Sequence, residues 1–133
     1  TLTPLEFIHE NFELYWKYRF FHREMYSLRR KDPGLAKMWR AHIAKMMKLM
    51  EILYRKWVRS GIMAPVENVA EMEYVSESLL AMATTYLQFF ESAERVPAKR
   101  SIERGKKHLA RLLMPYTSGE VRVGFEKFIA SLD

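Results

Sequence analysis

The sequence of 133 residues contains no cysteine. This absence excludes disulfide scaffolds, thiolate zinc sites, iron–sulfur clusters and cysteine nucleophiles, and it fits a reducing compartment. Glycine and proline are also scarce, with five of each, so the composition is neither fibrous nor that of a disordered chain. No apolar run approaches the roughly 18 residues of a membrane span, and the N-terminus lacks a signal-peptide pattern. We therefore predict a soluble, cytoplasmic protein without membrane contact.

Apolar residues are abundant: 49% of the chain is hydrophobic, 14% is aromatic and nine residues are methionine. The length corresponds to one domain, since chains divide at roughly 100–200 residues per domain. A domain of this size buries enough surface to fold without a disulfide or a metal. We therefore treat residues 1–133 as one domain. Because the first residue is Thr1 and not methionine, we expect a chain that is processed, excised from a longer protein, or shown in part.

The formal net charge of +6 is distributed in alternating blocks. Residues 17–59 hold thirteen bases and three acids, whereas residues 60–94 hold six acids and no base. A second basic block at residues 95–111 holds seven bases and one acid. A basic chain can bind nucleic acid by neutralising phosphates, but alternating blocks equally suit segments that face one another within one fold. We favour the second interpretation, a solvated and internally compensated surface.

Start and stop signals divide the sequence into helices. Thr3-Pro4-Leu5-Glu6 has the pattern of a capping box with proline at the first helical position. It predicts a helix that kinks or breaks between Phe21 and Lys31. Asp32-Pro33 begins a second, long helix, and Ser60-Gly61 closes it, with glycine as the left-handed C-cap.

Three more helices are predicted after Pro65. Asn68 marks the start of a long helix that runs to about Phe90, and residues 91–100 form a loop. The segments Ser101–Arg104 and Thr117–Glu120 are interpreted as capping boxes that begin the last two helices. Since no strand-like alternation or hairpin signal occurs, the predicted fold is all-α, a bundle of five to six helices.

The helix predicted after Asn68 is nearly devoid of polar residues between Leu79 and Phe90, where two threonines and one glutamine interrupt the apolar run. A helix without a polar face is enclosed on every side, and in a small domain we expect a second chain to supply part of that enclosure. The sequence thus predicts a homodimer in which this helix and the next, from each chain, form a four-helix bundle. The predicted interface residues are Leu80, Thr84, Leu87, Leu109, Leu112 and Leu113.

No residue pattern supports catalysis or a metal site. Glu6 and His9 form one E-x-x-H motif, whereas a di-iron bundle needs two such motifs and further carboxylates. We interpret the pair as a capping glutamate beside a surface histidine. The other histidines lack zinc-binding spacing, and Gly105-Lys106-Lys107 lies in a helical pattern, unlike a phosphate-binding loop. We therefore predict a protein that is not an enzyme and has no catalytic residues, metal or cofactor.

Large flexible and aromatic side chains concentrate in the helix that begins at Pro33. Methionine adapts to irregular shapes, so these residues either fill the core or line a hydrophobic cavity. His42 interrupts the apolar stripe of this helix, and it is either a core histidine hydrogen-bonded to a neighbour or the polar anchor of a cavity. From helical facing, the predicted cavity residues are Trp16, Phe20, Trp39, His42, Met46, Met50 and Tyr86.

Several segments resemble the C-terminal regulatory domain of TetR-type bacterial transcriptional repressors. They are the aromatic and basic run Leu14–Glu24, the segment Leu28–Ala36 with its Arg-Lys-Asp-Pro turn, the long helix ending at Ser60-Gly61, and the segment Leu112–Tyr116. The resemblance covers roughly residues 5–116. It implies a domain that dimerises and binds a small apolar or amphipathic effector.

In that family, the regulatory domain follows an N-terminal helix-turn-helix domain that binds operator DNA. The helix-turn-helix domain is absent from this chain, so we expect operator DNA to be bound only through a longer parent protein. The resemblance implies an allosteric mechanism in which the effector prefers one of two arrangements and the first helix transmits that preference. The alternative, from a different class, is a stand-alone helical adaptor that binds another protein without a ligand.

Overall fold

The computed structural model describes residues 2–66, 69–94 and 99–131. This part of the chain is all-α and has no strand beyond one isolated antiparallel bridge between Met63 and Thr117. The predicted all-α fold of five to six helices is confirmed. The helices are α1 (Pro4–Lys17), α2 (Arg19–Lys31), α3 (Pro33–Arg59), α4 (Val69–Glu94), α5 (Lys99–Leu113) and α6 (Gly119–Ala130), with a 3₁₀ turn at Met114–Tyr116.

The start of α1 and both ends of α3 lie where the sequence predicts them. The Thr3 hydroxyl accepts from the Glu6 backbone N–H at 3.2 Å, and the Glu6 carboxylate accepts from the Thr3 N–H at 3.2 Å. The Asp32 carboxylate accepts from two backbone N–H groups in the first turn of α3. After α3, Gly61 adopts a φ of +75°, which favours glycine. These caps act within one turn, so the local sequence is enough to locate them.

The break between α1 and α2 lies at Tyr18, and the predicted position between Phe21 and Lys31 is wrong. Tyr18 departs from helical geometry, with φ −104° and ψ 27°. Arg19 stabilises the break because its guanidinium donates to the Trp16 carbonyl at 2.9 Å and lies 4.3 Å from the centre of the Trp16 ring. Carbonyls in the last turn of a helix lack helical partners, and an arginine side chain can supply one.

The starts of α5 and α6 also differ from the prediction. Since α5 begins at Lys99, the expected cap Ser101 lies inside the helix and is fully buried. The expected cap of the last helix is Thr117, but its hydroxyl donates to the Met114 carbonyl at 2.7 Å. Ser118 occupies the N-cap position of α6 without a side-chain cap, and its hydroxyl donates to the Gly61 carbonyl at 3.1 Å. At Ser118, a hydrogen bond to a residue distant in sequence has replaced the local capping bond.

The long helix α4 extends to Glu94, beyond the predicted end near Phe90. Its expected cap, Asn68, lies outside the described residues. In the described ranges, no helix combines the length and the apolar character that crossing a membrane requires.

The core forms where α1, α3, α4 and α5 meet, and α6 closes one side of it with Phe125. Trp57, near the end of α3, donates its indole N–H to the Leu2 carbonyl at 2.8 Å, which ties the residue before α1 to α3. Other large buried residues include Ile8 and Phe12 on α1, Met50 and Tyr54 on α3, Leu79, Leu80 and Tyr86 on α4, and Ile102, Leu109 and Leu113 on α5.

Gly105 of α5 allows three helices to approach one another closely. A Cβ at this position would lie 2.6 Å from Phe12 Cε1 on α1 and 2.8 Å from Tyr86 Cε1 on α4. Glycine inside a helix is about 1 kcal/mol less favourable than alanine. Here it lets two aromatic rings pack directly on the α5 backbone.

Beside this contact, Lys106 is charged although its side chain is only 4% exposed. Its Nζ donates to Glu13 on α1 at 2.9 Å and to Glu103 on α5 at 2.7 Å. Burial by itself lowers the pKa of Lys106, but the hydrogen bonds and charges of Glu103 and Glu13 outweigh burial and raise it above its ordinary value. The protonated lysine therefore links α1 to α5.

Gly105→Ala is expected to destabilise the fold. The added methyl group meets the rings of Phe12 and Tyr86, and forcing extra volume into a packed core costs about 1–3 kcal/mol. Gly124→Ala in α6 is the matched control, because no atom lies within 4 Å of its added Cβ. Thermal unfolding followed by circular dichroism should give a lower Tm for Gly105→Ala and an unchanged or higher Tm for Gly124→Ala. Equal effects of the two variants would contradict the close packing at Gly105.

Candidate ligand-binding groove

A groove of about 620 Å³ lies where α1, α2 and α3 face one another. This volume falls within the range of roughly 300–1,000 Å³ that small-molecule sites occupy. Most of its lining is apolar or aromatic, with a few polar side chains between. The lining residues are Asn11, Leu14 and Tyr15 on α1, Tyr18 at the break, Phe21, His22 and Met25 on α2, and Leu35, Met38, Trp39, His42 and Met46 on α3.

The groove exists because α3 continues past the core. The second half of α3 buries Met50, Tyr54 and Trp57, whereas its first half contacts α2, to which it is joined through Asp32. The change of direction at Tyr18 brings α2 alongside this first half. The apolar stripe of α3 therefore belongs to the core at one end and to the groove at the other.

Aromatic and imidazole rings follow one another across the groove. The Tyr15 ring on α1 lies 4.6 Å from the His22 ring on α2, and the His22 ring lies 6.3 Å from the Trp39 ring on α3. The Trp39 ring is in turn 5.4 Å from the His42 ring. All three helices thus contribute rings to one continuous surface.

His42 influences the ionisation of His22. His22 is half-buried, and burial is the main cause that lowers its pKa below the ordinary 6.5; the nearby His42 lowers it further because the two imidazolium charges repel. Arg29 lies at the edge of the groove, where its guanidinium is 5.3 Å from the centre of the Trp39 ring and its Nε donates to the Met25 carbonyl at 3.4 Å. The polar part of the groove is therefore basic.

Three of the seven residues predicted for the cavity line this groove together: Trp39, His42 and Met46. His42 is exposed, so the interpretation of it as a core histidine is wrong. Met50 and Tyr86 lie in the hydrophobic core.

The remaining two predicted cavity residues lie outside the groove, around Arg19. Trp16 is half-buried with Arg19 stacked on its ring. Phe20 is 60% exposed and lies between Arg19 and Arg23, whose guanidinium carbons are 4.7 Å and 5.4 Å from the centre of its ring.

The prediction missed the other nine of the twelve lining residues. For three of them, Tyr15, His22 and Met25, the sequence carries a signal. Together with Tyr18 they recur at spacings of three and four residues, which place them on one helical face. The adjacent stripe through Trp16 and Phe20 has the same spacing. Periodicity alone did not distinguish the stripe that lines the groove from the stripe that does not.

The predicted dimer residues divide between the core and the surface. Leu80, Leu109 and Leu113 are buried within their own chain, Thr84 and Leu112 are half-buried, and the side chain of Leu87 lies outside the described residues. A different stripe of α4 is exposed. It consists of Tyr74, Ser78, Ala81, Thr85 and Phe89.

Glu6 caps α1, as the sequence predicts. His9 packs edge-on against Phe128 of α6, with the ring centres 4.9 Å apart, and it is half-buried. Burial is the main cause that lowers the pKa of His9, and the charge of Lys106 adds to it. Across the described ranges, no three histidine or carboxylate side chains gather as a metal site.

Comparison with known proteins adds two findings. A family model described as TetR, bacterial transcriptional repressor, matches residues 4–125. The fold is similar to the crystal structure of a TetR-family transcriptional regulator from Marinobacter aquaeolei VT8, with a TM-score of 0.78 and 23% sequence identity over 92% of this chain. The likeness covers 60% of that regulator, so this chain spans less than two thirds of its length. No curated protein sequence matches the chain.

Burial and the nearby charge of His42 predict how His22 titrates. The pKa of His22 should lie below 6.5 and should rise in His42→Gln, because one repelling charge is removed, yet stay below 6.5 because burial remains. The pKa of His9 is also lowered, but it should not change in that variant. NMR titration of the imidazole protons measures the pKa values of His22 and His9 in the unaltered chain and in the variant.

The lowered pKa of His22 also predicts how the free energy of unfolding depends on pH. The pKa of His22 is lower in the folded than in the unfolded chain, so the unfolded chain binds this proton more readily. The free energy of unfolding should therefore decrease as the pH falls from 6.5 through the folded pKa. A His22 pKa at or above 6.5 would contradict this account.

Proposed function

The chain belongs to the TetR family of bacterial transcriptional repressors, and we propose that it is the regulatory domain of such a repressor. In this proposal a small apolar or amphipathic effector binds in the groove between α1, α2 and α3. Effector binding controls the binding of operator DNA by a helix-turn-helix domain of the longer parent protein, in the cytoplasm. The domain catalyses no reaction and needs no cofactor.

The observation that carries the proposal is the groove itself. Its volume of about 620 Å³ suits a small molecule, and its apolar walls carry a few polar groups that can orient one. Four of its large apolar side chains, Leu14, Tyr18, Phe21 and Met38, are exposed. A ligand would cover apolar surface that the protein leaves in contact with water, and this burial stabilises binding.

The proposed mechanism runs through α1, which borders the groove with one face and the core with the other. Its middle is held by Phe12 against Gly105 and by Glu13 on Lys106. A ligand that wedges Leu14 and Tyr15 away from α3 would tilt α1 about this fixed middle. The start of α1, where the DNA-binding domain would be attached, would then move in the opposite direction.

Such coupling requires that the ligand binds one arrangement of α1 more tightly than the other. Coupling free energies between two sites are typically about 1–3 kcal/mol. The hydrogen bond between Trp57 and the Leu2 carbonyl lies at the far end of α1. It is the contact that a tilt of α1 would change.

Hydrophobic ligands should raise the Tm of the chain, since binding only the folded state stabilises it by about 2.7 kcal/mol at 100 times the Kd. Trp39→Ala and Phe21→Ala should abolish or strongly reduce the shift because both rings line the groove. Phe20→Ala is the matched control: its ring is on the same helix as Phe21 but outside the groove. Differential scanning fluorimetry with apolar and amphipathic compounds measures the shifts. No shift with any compound, or equal loss in Phe20→Ala, would count against the groove.

We further propose that the domain forms a two-fold homodimer through α4 and α5. The exposed stripe of α4 has the small residues Ser78, Ala81 and Thr85 at its centre and the aromatic residues Tyr74 and Phe89 at its ends. Small residues permit close approach of a second helix. Since α4 already packs against α5 in one chain, two copies would give four helices around the axis. An obligate interface of this kind buries more than about 2,000 Å².

Ala81→Glu is expected to convert a dimer into a monomer, because it places a charge at the centre of the α4 stripe. Ala44→Glu is the matched control, since Ala44 is an exposed alanine in the middle of α3. Sedimentation velocity at tens of micromolar should give a dimer for the unaltered chain and for Ala44→Glu. Circular dichroism should confirm that both variants are folded. An unaltered chain that sediments as a monomer would refute the dimer.

A further inference from the structure

We propose that the ligand of this groove is an amphipathic anion, a carboxylate attached to an aromatic or aliphatic body. The inference rests on the proposed function and adds to it the charge of the ligand. The inference follows from the imidazoles of His22 and His42 and the guanidinium of Arg29, which lie around an apolar groove. Among the described residues, no carboxylate lines this groove.

The polar groups of the lining favour an anion. Of its twelve side chains, seven are polar or aromatic groups that can donate a hydrogen bond or present a ring edge, and none is acidic. The described residues supply no hydrogen-bond partner to the ring nitrogens of His22 or His42. These imidazoles are therefore available to donate to ligand oxygens, and hydrogen bonds to a charged acceptor are stronger than neutral ones.

Arg29 supplies a permanent positive charge at the edge of the groove. Its guanidinium is held by the Trp39 ring and by the Met25 carbonyl, and both residues line the groove. In the described part of the chain, no carboxylate lies within ion-pair distance of Arg29. By contrast, the buried cation Lys106 is satisfied by two carboxylates.

A cationic ligand fits the same surface poorly. Aromatic faces such as Trp39 can bind a quaternary ammonium group, but Arg29 already lies over that ring. A second cation would be repelled by Arg29 and by any protonated histidine. Residues 17–59, which comprise the last residue of α1, the break, α2 and α3, hold thirteen bases and three acids, so the field around the groove attracts anions.

A bound carboxylate would also change how His22 titrates. Its negative charge would raise the pKa of His22, so binding would take up protons. The groups that face His22 are Tyr15 on α1, Phe21 on α2, and Trp39 and His42 on α3, while α4 contributes the Gln88 amide at 3.5 Å from the His22 carbonyl. The affinity for a carboxylate should therefore increase between pH 8 and pH 6, while the carboxylate itself stays ionised.

The test uses three probes that share one naphthalene ring and differ in the attached group: 2-naphthoate, 2-naphthalenemethanol and (2-naphthylmethyl)trimethylammonium. Isothermal titration calorimetry of the full 133-residue chain at pH 7 and constant ionic strength gives the Kd of each. We expect naphthoate to bind at least about tenfold more tightly than the alcohol, since hydrogen bonds to charged groups are the stronger ones, and the cation to bind most weakly.

Variants identify the groups responsible. Arg29→Gln and His42→Gln should each weaken naphthoate binding by about tenfold and leave the Kd of the alcohol unchanged. Arg23→Gln is the matched control, because it removes the same charge from the same helix beside Phe20, outside the groove. In His22→Gln the increase in naphthoate affinity between pH 8 and pH 6 should be reduced, whereas Arg23→Gln should retain it.

The possible outcomes distinguish the binding of a ligand in the groove from the preference of the groove for an anion. Equal binding of all three probes, or tightest binding of the cation, would overturn the anion inference and leave the ligand-binding function standing. An equal loss of naphthoate affinity in Arg23→Gln would overturn it as well, since the effect would then be one of general charge. Failure of all three probes to bind would count against the groove as a ligand site and against its charge preference together.

Discussion

The packing of Phe12 and Tyr86 on the bare backbone of Gly105 fixes where α1 lies, and the remaining features depend on that position. An alanine at position 105 would hold the helices apart. With α1 in place, its Phe12 side faces the core, and Tyr15, whose ring is 6.2 Å from the Phe12 ring, faces the groove. The ion pair between Glu13 and Lys106 reinforces the same contact between α1 and α5. One close approach therefore sets both the core and one wall of the groove.

The groove is the continuation of the core along α3. The apolar stripe of α3 lines both the core and the groove. The two halves of α3 differ in the helices that they contact. The second half of α3 is covered by α1 and α4, so Met50 and Tyr54 are buried. The first half meets α2, which turns away from α1 at Tyr18 and leaves a space of about 620 Å³. A long helix that extends beyond the hydrophobic core can thus provide a binding surface without any special motif.

Two sets of basic side chains in the domain have different surroundings. Lys106 is buried and has both carboxylate partners that its charge requires, as expected of a buried charge that contributes to the fold. Arg29, His22 and His42 surround a groove whose described lining lacks carboxylates. In a site that binds a ligand, the missing counter-charge is available from the ligand itself. The contrast between the two groups points to the charge of that ligand.

The sequence by itself determined features that depend on neighbouring residues: the all-α class, the capping box at Thr3, and α3 from its cap at Asp32 to the left-handed Gly61. Trp39 and Met46 share a helical face, so their joint presence in the groove could also be predicted. The helix break at Tyr18, the buried Ser101 and the assignment of Tyr86 to the core could not. Periodicity tells which residues share a face of one helix, but not which helix that face meets. Only the tertiary structure, through approaches such as the one at Gly105, decides which apolar stripe becomes core and which remains open to bind.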